Sequence, residues 1–299
     1  VKSILKIATG SIAVGVLVFG CKLLAARVSG STALFSDALE ALVNVASSGL
    51  ALYALILAAK PADEQHNYGH AKAELLSAMA TGAMILVAAV LIFQHASQEL
   101  LHPHALAPIN GGLGKGLALN GLAGGVNALW AVLLHFIGRR DRSPALLADA
   151  QHLVSDVLTS VGIIAALLGA AWVHLPILDP LIALGIAAQI AFMGGKTVLT
   201  ALSGLLDEAP PPETTERIQA LVRQYATGAI EAHDLRIRQA GPASFLEFHL
   251  VVPGEMTVNA AHDICDRIET ALKAEMKGVV ITIHVEPEVK AKHEGVLLP

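Results

Sequence analysis

The chain carries six long apolar stretches, at roughly residues 4–27, 32–59, 75–98, 113–137, 144–173 and 177–205. Each reaches or exceeds the approximately 20 residues a helix needs to cross a bilayer. Charge is divided to match. Residues 206–299 hold 24 of the 45 Asp, Glu, Lys and Arg residues, and the first 205 hold only 21. The expected fold class is an α-helical membrane bundle of six transmembrane helices over 1–206, followed by a soluble α+β domain over 207–299. The two cysteines rule out a disulfide scaffold or a four-thiolate metal site. The tail sets 15 acids against 9 bases, which argues against nucleic acid as a partner and favours cations.

Six crossings place both ends on one side. Lys2 and Lys6, Lys60 and Lys72, and Arg139, Arg140 and Arg142 flank one side, while the third loop offers only Lys115. By the positive-inside rule both termini are cytoplasmic, as in a protein of a bacterial inner (plasma) membrane. Lys22 and Arg27, read as lying near the outer end of the first helix, pull against that orientation without reversing it. The first stretch is too long for a cleavable signal peptide and lacks a small-residue cleavage pattern. The third loop, 102–112, reads as a plain connection, and its His102 and His104 as solvated residues.

Three prolines, Pro210 to Pro212, forbid continued helix and mark the boundary of the tail. Its pattern predicts helix 213–225, strand 230–240, strand 243–252, helix 257–276 and strand 279–287. The resulting αββαβ order suggests an open-faced domain that pairs with a copy of itself, since so short a segment makes a modest core.

An internal repeat lies at an offset of 112 residues: Ser31 to Glu40 lines up with Ser143 to His152. The second and fifth helices are therefore read as duplicates meeting at a shared site, as in transporter repeats. One further turn sets Asp37, Glu40 and Asn44 against Asp149, His152 and Asp156. Within each helix the later two residues are spaced i, i+4 and project from one face. Opposing the faces gathers one imidazole, two carboxylates and an amide oxygen, a set suited to a four-coordinate divalent cation such as zinc. Ionisable residues near a bilayer centre cost about 2.5–3.5 kcal/mol each on insertion scales. Interhelical glue accounts poorly for several of them in register. Asp37 and Asp149 are accessory positions, divided between structural hydrogen bonding and steering ions.

A second set, Asp63, His66 and His70, lies in the loop after the second helix, spaced to reach one ion if the segment coils. By itself it reads equally as a solvated flanking loop. A third set is the tail's His233, His249, His262 and His284 with Glu286. His284 and Glu286 share one strand face by the period of two. His95 and His135, alone on apolar faces, read as packing residues, and Asp179 and Lys196 as helix-end or snorkelling residues.

Three segments carry a family resemblance: Tyr68-Gly69-His70-Ala71-Lys72-Ala73-Glu74, His152-Leu153-Val154-Ser155-Asp156 and His233-Asp234-Leu235-Arg236-Ile237-Arg238. With six helices and the αββαβ tail, the chain resembles the cation diffusion facilitator family of metal-proton antiporters over nearly its whole length. The resemblance implies a homodimer that exports Zn²⁺, or a related ion such as Mn²⁺, Fe²⁺, Co²⁺ or Cd²⁺, in exchange for protons. It implies a transport site of Glu40, Asn44, His152 and Asp156, a loop site of Asp63, His66 and His70, and tail sites of His233, His249, His262, His284 and Glu286. It further implies a salt bridge of Lys72 with Asp207 at the dimer's membrane interface. The chain departs from the family pattern at Asn44 and Glu40. The transport site then carries about two negative charges instead of three, and its oxygens shift preference towards harder ions.

Binding at the transport site displaces protons from His152 and the carboxylates, because ligands must be deprotonated. An imidazole with a reference pKa near 6.5 suits release on an acidic side. The chain is not expected to be an enzyme, and no His-Glu-x-x-His run of a metalloprotease occurs. A passive metal channel and a metal-sensing scaffold with weak transport are the competing classes.

Overall fold

A computed structural model describes residues 2–101, 108–140, 144–173, 175, 177–240, 243–276, 278–292 and 296–297. His102 and His104 fall outside the described residues, as do the side chains of Asp149 and His152. Six long helices come first: α1 (Lys2–Ser29), α2 (Thr32–Ala58), α3 (Ala73–Leu101), α4 (Gly112–Arg140), α5 (Pro144–Val173) and α6 (Leu178–Leu205). All six contain a span long and apolar enough to cross a membrane. Then come α7 (Pro212–Tyr225), β1 (Glu231–Ala240), β2 (Ala243–Val252), α8 (Val258–Glu275), β3 (Val279–Pro287) and β4 (Val296–Leu297).

The chain forms two compact units. The first runs to Ala54 and from Ser77 to Leu199; the second joins Leu55–Leu76 to everything from Thr200 onward. In the first, one apolar core draws on every helix, through Ala26, Leu34, Ile92, Leu113, Leu167 and Ile186. Large apolar side chains such as Leu129, Phe136, Trp172 and Phe192 point outward and stay exposed. In water that would be an aggregation surface, whereas lipid tails accept it. α4 packs against both α1 and α5. α3 and α6 approach where glycines permit: a Cβ on Gly82 would lie 2.7 Å from Val198 Cγ2 and 3.0 Å from the Gly194 carbonyl oxygen. Such small-residue crossings let backbones close in where no hydrophobic effect drives association.

Two charged residues read from sequence as peripheral turn out to be internal. Asp179 is buried, accepts from Ser31 Oγ at 2.8 Å and from the backbone N–H groups of Thr32 and Ala33 at 2.9 Å, and so caps α2. Its helix-end role belongs to a helix other than its own. Lys22 is likewise buried, with its ammonium 2.7 Å from Asp37 Oδ1. It is a partner inside the bundle and so tells nothing about orientation by the loop-charge rule.

In the second unit a four-stranded sheet runs β3-β2-β1-β4. β1 and β2 are antiparallel, while β2 and β3 are parallel and joined through α8, as a parallel pair requires. Leu246, Phe248 and Leu250 of β2 are buried against Ile218 and Val222 of α7 and Ile264, Ile268 and Leu272 of α8. Period-two alternation therefore turns the intervening positions, His249 among them, to the face the helices leave open. Thr257 caps α8 by accepting from the Ala260 N–H at 3.3 Å. β4 extends the predicted αββαβ order by a two-residue edge strand paired to the start of β1.

Candidate functional site

In the membrane unit, α2 and α5 are joined by a hydrogen bond from Asn44 Nδ2 to Asp156 Oδ2 at 3.1 Å. The two residues are 112 apart, so they occupy equivalent positions of the internal repeat. Asp156 is buried. Glu40, one turn back on α2 and half-buried, stands in the field of Asp156, Asp37 and Lys22. Asp37 is almost wholly buried, bound by Lys22 and by the Ser160 hydroxyl at 3.3 Å. A small cavity borders this set, its mainly apolar lining of Val14, Val18, Val45 and Leu153 broken by Ser11, Asn44, Ser48, Asn127 and Asp156. Asn127 on α4 is buried there and was missed from sequence, because a lone amide in an apolar run carries no spacing signal.

The loop set folds into a tight coil. Asp63 accepts backbone N–H bonds from Gln65 at 3.0 Å and His66 at 2.7 Å. The His66 bond holds the Asp63 carboxyl below its ordinary value. His66 Nδ1 and His70 Nε2 each lie 3.4 Å from an Asp63 oxygen, with their rings 4.4 Å apart. Ligand atoms about 2 Å from a tetrahedral zinc ion lie a little over about 3 Å from one another, so this donor set fits such an ion.

Of the tail set, His233, His249, His284 and Glu286 lie on the face of the sheet away from α7 and α8, with His233 buried. Strand register places His233 opposite His249 and His249 opposite His284, a row across β1, β2 and β3. Glu286 lies behind the row, with its oxygens 3.4 Å from His233 Nε2, 3.5 Å from His249 Nδ1 and 3.7 Å from His284 Nε2. Among the described residues, His233, His249 and Glu286 offer three ligand atoms within 4.8 Å of one another, again a zinc-compatible N and O set. His284 is mostly exposed at the edge of the row. His262 stands apart on α8, exposed and 3.7 Å from Asp266, so the chain does not itself bring it to the row.

Two residues beside the row were not anticipated. Glu231 is fully buried with Oε1 3.2 Å from His233 Nδ1, leaving Nε2 to face Glu286. A carboxylate on one imidazole nitrogen is what orients the other towards a metal. Asp234, at φ +52, sits where the β1–β2 register shifts and lies 3.9 Å from His249 Nδ1. Lys292 donates to it at 2.7 Å and holds its carboxyl below the usual range. Bulges of this kind re-aim side chains near functional sites. Glu231 was legible in principle: it precedes His233 by two, on the same strand face.

Lys72 Nζ lies 2.9 Å from Asp207 Oδ1 and 3.4 Å from the Leu205 carbonyl oxygen. Asp207 adopts φ +60 just after α6, where its N–H bonds back to Gly204, an αL helix end that turns the carboxylate towards Lys72. The pair closes within one chain.

Comparison with known proteins covers both regions of the chain. Residues 8–206 match the family model of the cation efflux transmembrane domain, and residues 210–288 that of the cytoplasmic domain of cation efflux proteins. The transporter sll1263 of Synechocystis sp. is 41% identical over 93% of this chain and 88% of its own. The cation-efflux pump FieF of Yersinia enterocolitica is 34% identical over 87% and 84%. Among solved structures, CzrB in its zinc form is 53% identical over 29% of this chain and 98% of that one, with a TM-score of 0.28. The metal-bound C-terminal domain of the CzcD transporter from Thermotoga maritima is 27% identical over 27% and 92%, with a TM-score of 0.25.

Proposed function

Because the chain belongs to the cation diffusion facilitator family of cation-efflux transporters, we propose that it exports Zn²⁺ from the cytoplasm in exchange for protons. It works as a homodimer in a bacterial inner membrane, with both termini cytoplasmic and the domains divided at 206/207. The observation that carries this reading is the Asn44–Asp156 contact. It brings repeat-equivalent positions of α2 and α5 together inside the bundle, one turn from Glu40. Glu40, Asn44, His152 and Asp156 hold the transported ion. Asp63, His66 and His70 take one ion in the loop, and His233, His249, His284 and Glu286 take metal in the tail. His262 belongs to that tail set only if a partner copy supplies it. Lys72 and Asp207 tie the loop after α2 to the segment after α6.

The chemistry follows from the donor set. Carboxylates and a neutral imidazole bind a dication only after losing their protons, so each binding event releases protons and each protonation expels metal. Duplicated helices around a fixed site suit alternating access by rocking. The test is purified protein in proteoliposomes with a pH-sensitive dye inside. Zn²⁺ flux should drive opposed proton flux, and His152→Ala or Asp156→Ala should reduce both at least about tenfold, since losing even an outer-shell partner of a metal typically costs 10- to 100-fold. Parent-rate Zn²⁺ flux in either variant overturns the site, and metal flux without proton flux overturns the exchange. Faster flux of Mn²⁺ or Fe²⁺ than of Zn²⁺ reassigns the ion.

A further inference from the structure

We propose that the buried Lys22–Asp37 pair keeps two opposite charges in balance beside the transport site, so that the two negative charges of Glu40 and Asp156 are left to be neutralised by a single divalent cation. The inference rests on the transport-site reading above and concerns residues beyond the metal ligands. Lys22 reaches from α1 to Asp37 on α2 at 2.7 Å, and both side chains are almost wholly removed from solvent. The Ser160 hydroxyl of α5 donates to the same carboxylate, at 3.3 and 3.5 Å from its two oxygens. Three helices thus meet on one ion pair. Asp37 and Glu40 are spaced i, i+3 and share a face of α2, and Lys22, Asp37 and Asp156 all act electrostatically on Glu40.

Stability is a poor reason for such a pair. Desolvating two charges offsets most of their attraction, and apolar residues of similar volume commonly hold helices together as well or better. Inside a bilayer the cost is greater, and ionisable groups retained there serve a pathway or a site. Each member instead offsets the charge of the other beside the site. With the ligands deprotonated, as metal binding requires, Glu40 and Asp156 bring two negative charges, Lys22 cancels the charge of Asp37, and Asn44 and a neutral His152 bring none. Two negative charges remain, matched to one dication. In a medium of low dielectric an unmatched unit charge a few ångströms away changes affinity by tenfold or more. With Lys22 removed the site would over-bind and release slowly. With Asp37 neutralised it would hold a dication against excess positive charge. Lys22 is a positioning residue for charge, and its ammonium is held by Asp37.

The two members of the pair therefore act with opposite sign, which a purely structural clamp does not. In proteoliposomes, Lys22→Met should lower KM for Zn²⁺ about tenfold and lower kcat with it, as tight binding slows release. Asp37→Asn should raise KM by a similar factor. The double variant Lys22→Met/Asp37→Asn restores the charge balance and should bring KM back to within about threefold of the parent. Single variants that shift KM in the same direction, or a double variant more than about tenfold away from the parent, overturn the proposal. If Lys22→Met is not recovered folded, Asp37→Asn and the double variant decide: a KM that stays raised in the double overturns it. Asp156→Ala run alongside separates the two readings. Parent-rate transport there removes the transport site itself, whereas an inactive Asp156→Ala beside same-sign singles removes only the role of the pair.

Discussion

At the scale of single residues, the tail row shows how a strand converts spacing into a site. His233, His249 and His284 are far apart in sequence, yet register makes them lateral neighbours, and Glu286 reaches all three. The residue beside this arrangement is Glu231, whose carboxylate lies 3.2 Å from His233 Nδ1 while Nε2 faces Glu286. Carboxylates in this outer position typically contribute 10- to 100-fold in affinity. Glu231→Gln keeps the shape and loses the charge. Chelator-competition titration of the full chain should show the tail's Zn²⁺ affinity falling at least about tenfold, while His233→Ala abolishes that site. Unchanged affinity in Glu231→Gln would mean that the carboxylate only fills space. The histidines were legible from sequence because strand alternation points at them. Glu231 was equally in phase, but without tertiary contacts an acidic strand residue reads as solvated, whereas here it is fully buried.

At the scale of elements, long apolar periods proved the most legible feature, since a helix in lipid has little choice of structure. The predicted fifth helix, 144–173, coincides with Pro144–Val173, and the predicted strand 279–287 with Val279–Pro287. β4 escaped notice because two residues cannot alternate. Lys22 was misplaced for a different reason: sequence order shows a charge near a helix end, and only packing shows that Asp37 waits inside. Pairing also joins the tail helices. Arg217 on α7 meets Glu275 on α8 through two parallel hydrogen bonds at 2.8 and 2.9 Å. The Arg217 hydrogen bond holds the Glu275 carboxyl below its ordinary 4.5. A carboxyl depressed by folding contributes stability that is present above its unfolded pKa and is lost as pH falls through the folded one. Tail melting followed from pH 7 to pH 3 should therefore lose part of its stability below about pH 4.5, and Glu275→Gln should flatten that part of the profile. The pair is exposed, so the step is small; an identical profile in the variant would assign the acid loss elsewhere.

At the scale of the whole molecule, the charge division in the sequence and the compact units in space do not coincide. Sequence composition changes at the proline run, but the second unit also takes in Leu55–Leu76, the loop with Asp63, His66 and His70. What holds the loop there is aromatic and cationic. The Arg238 guanidinium of β1 lies 4.4 Å from the Phe245 ring centre and 5.0 Å from that of Tyr68, and the two rings meet edge to face at 5.7 Å. Arg238 also lies 3.9 Å from Asp207, which Lys72 already holds. Each such cation–π contact contributes about 0.5–1 kcal/mol where solvent reaches it, and the Lys72 bridge adds to them. Tyr68 falls between His66 and His70, so the residue that anchors the loop is set among the candidate metal ligands. Its motif was legible, but its partner was not, because Phe245 and Arg238 lie more than a hundred residues away. Tyr68→Ala in the full chain should speed amide hydrogen exchange across 61–72, and Arg238→Gln should do the same. The double variant should add little to either, because the three groups form one contact. Fully additive effects would mean that Tyr68 and Arg238 hold the loop independently, and unchanged exchange in Tyr68→Ala would leave the Lys72–Asp207 bridge as its anchor.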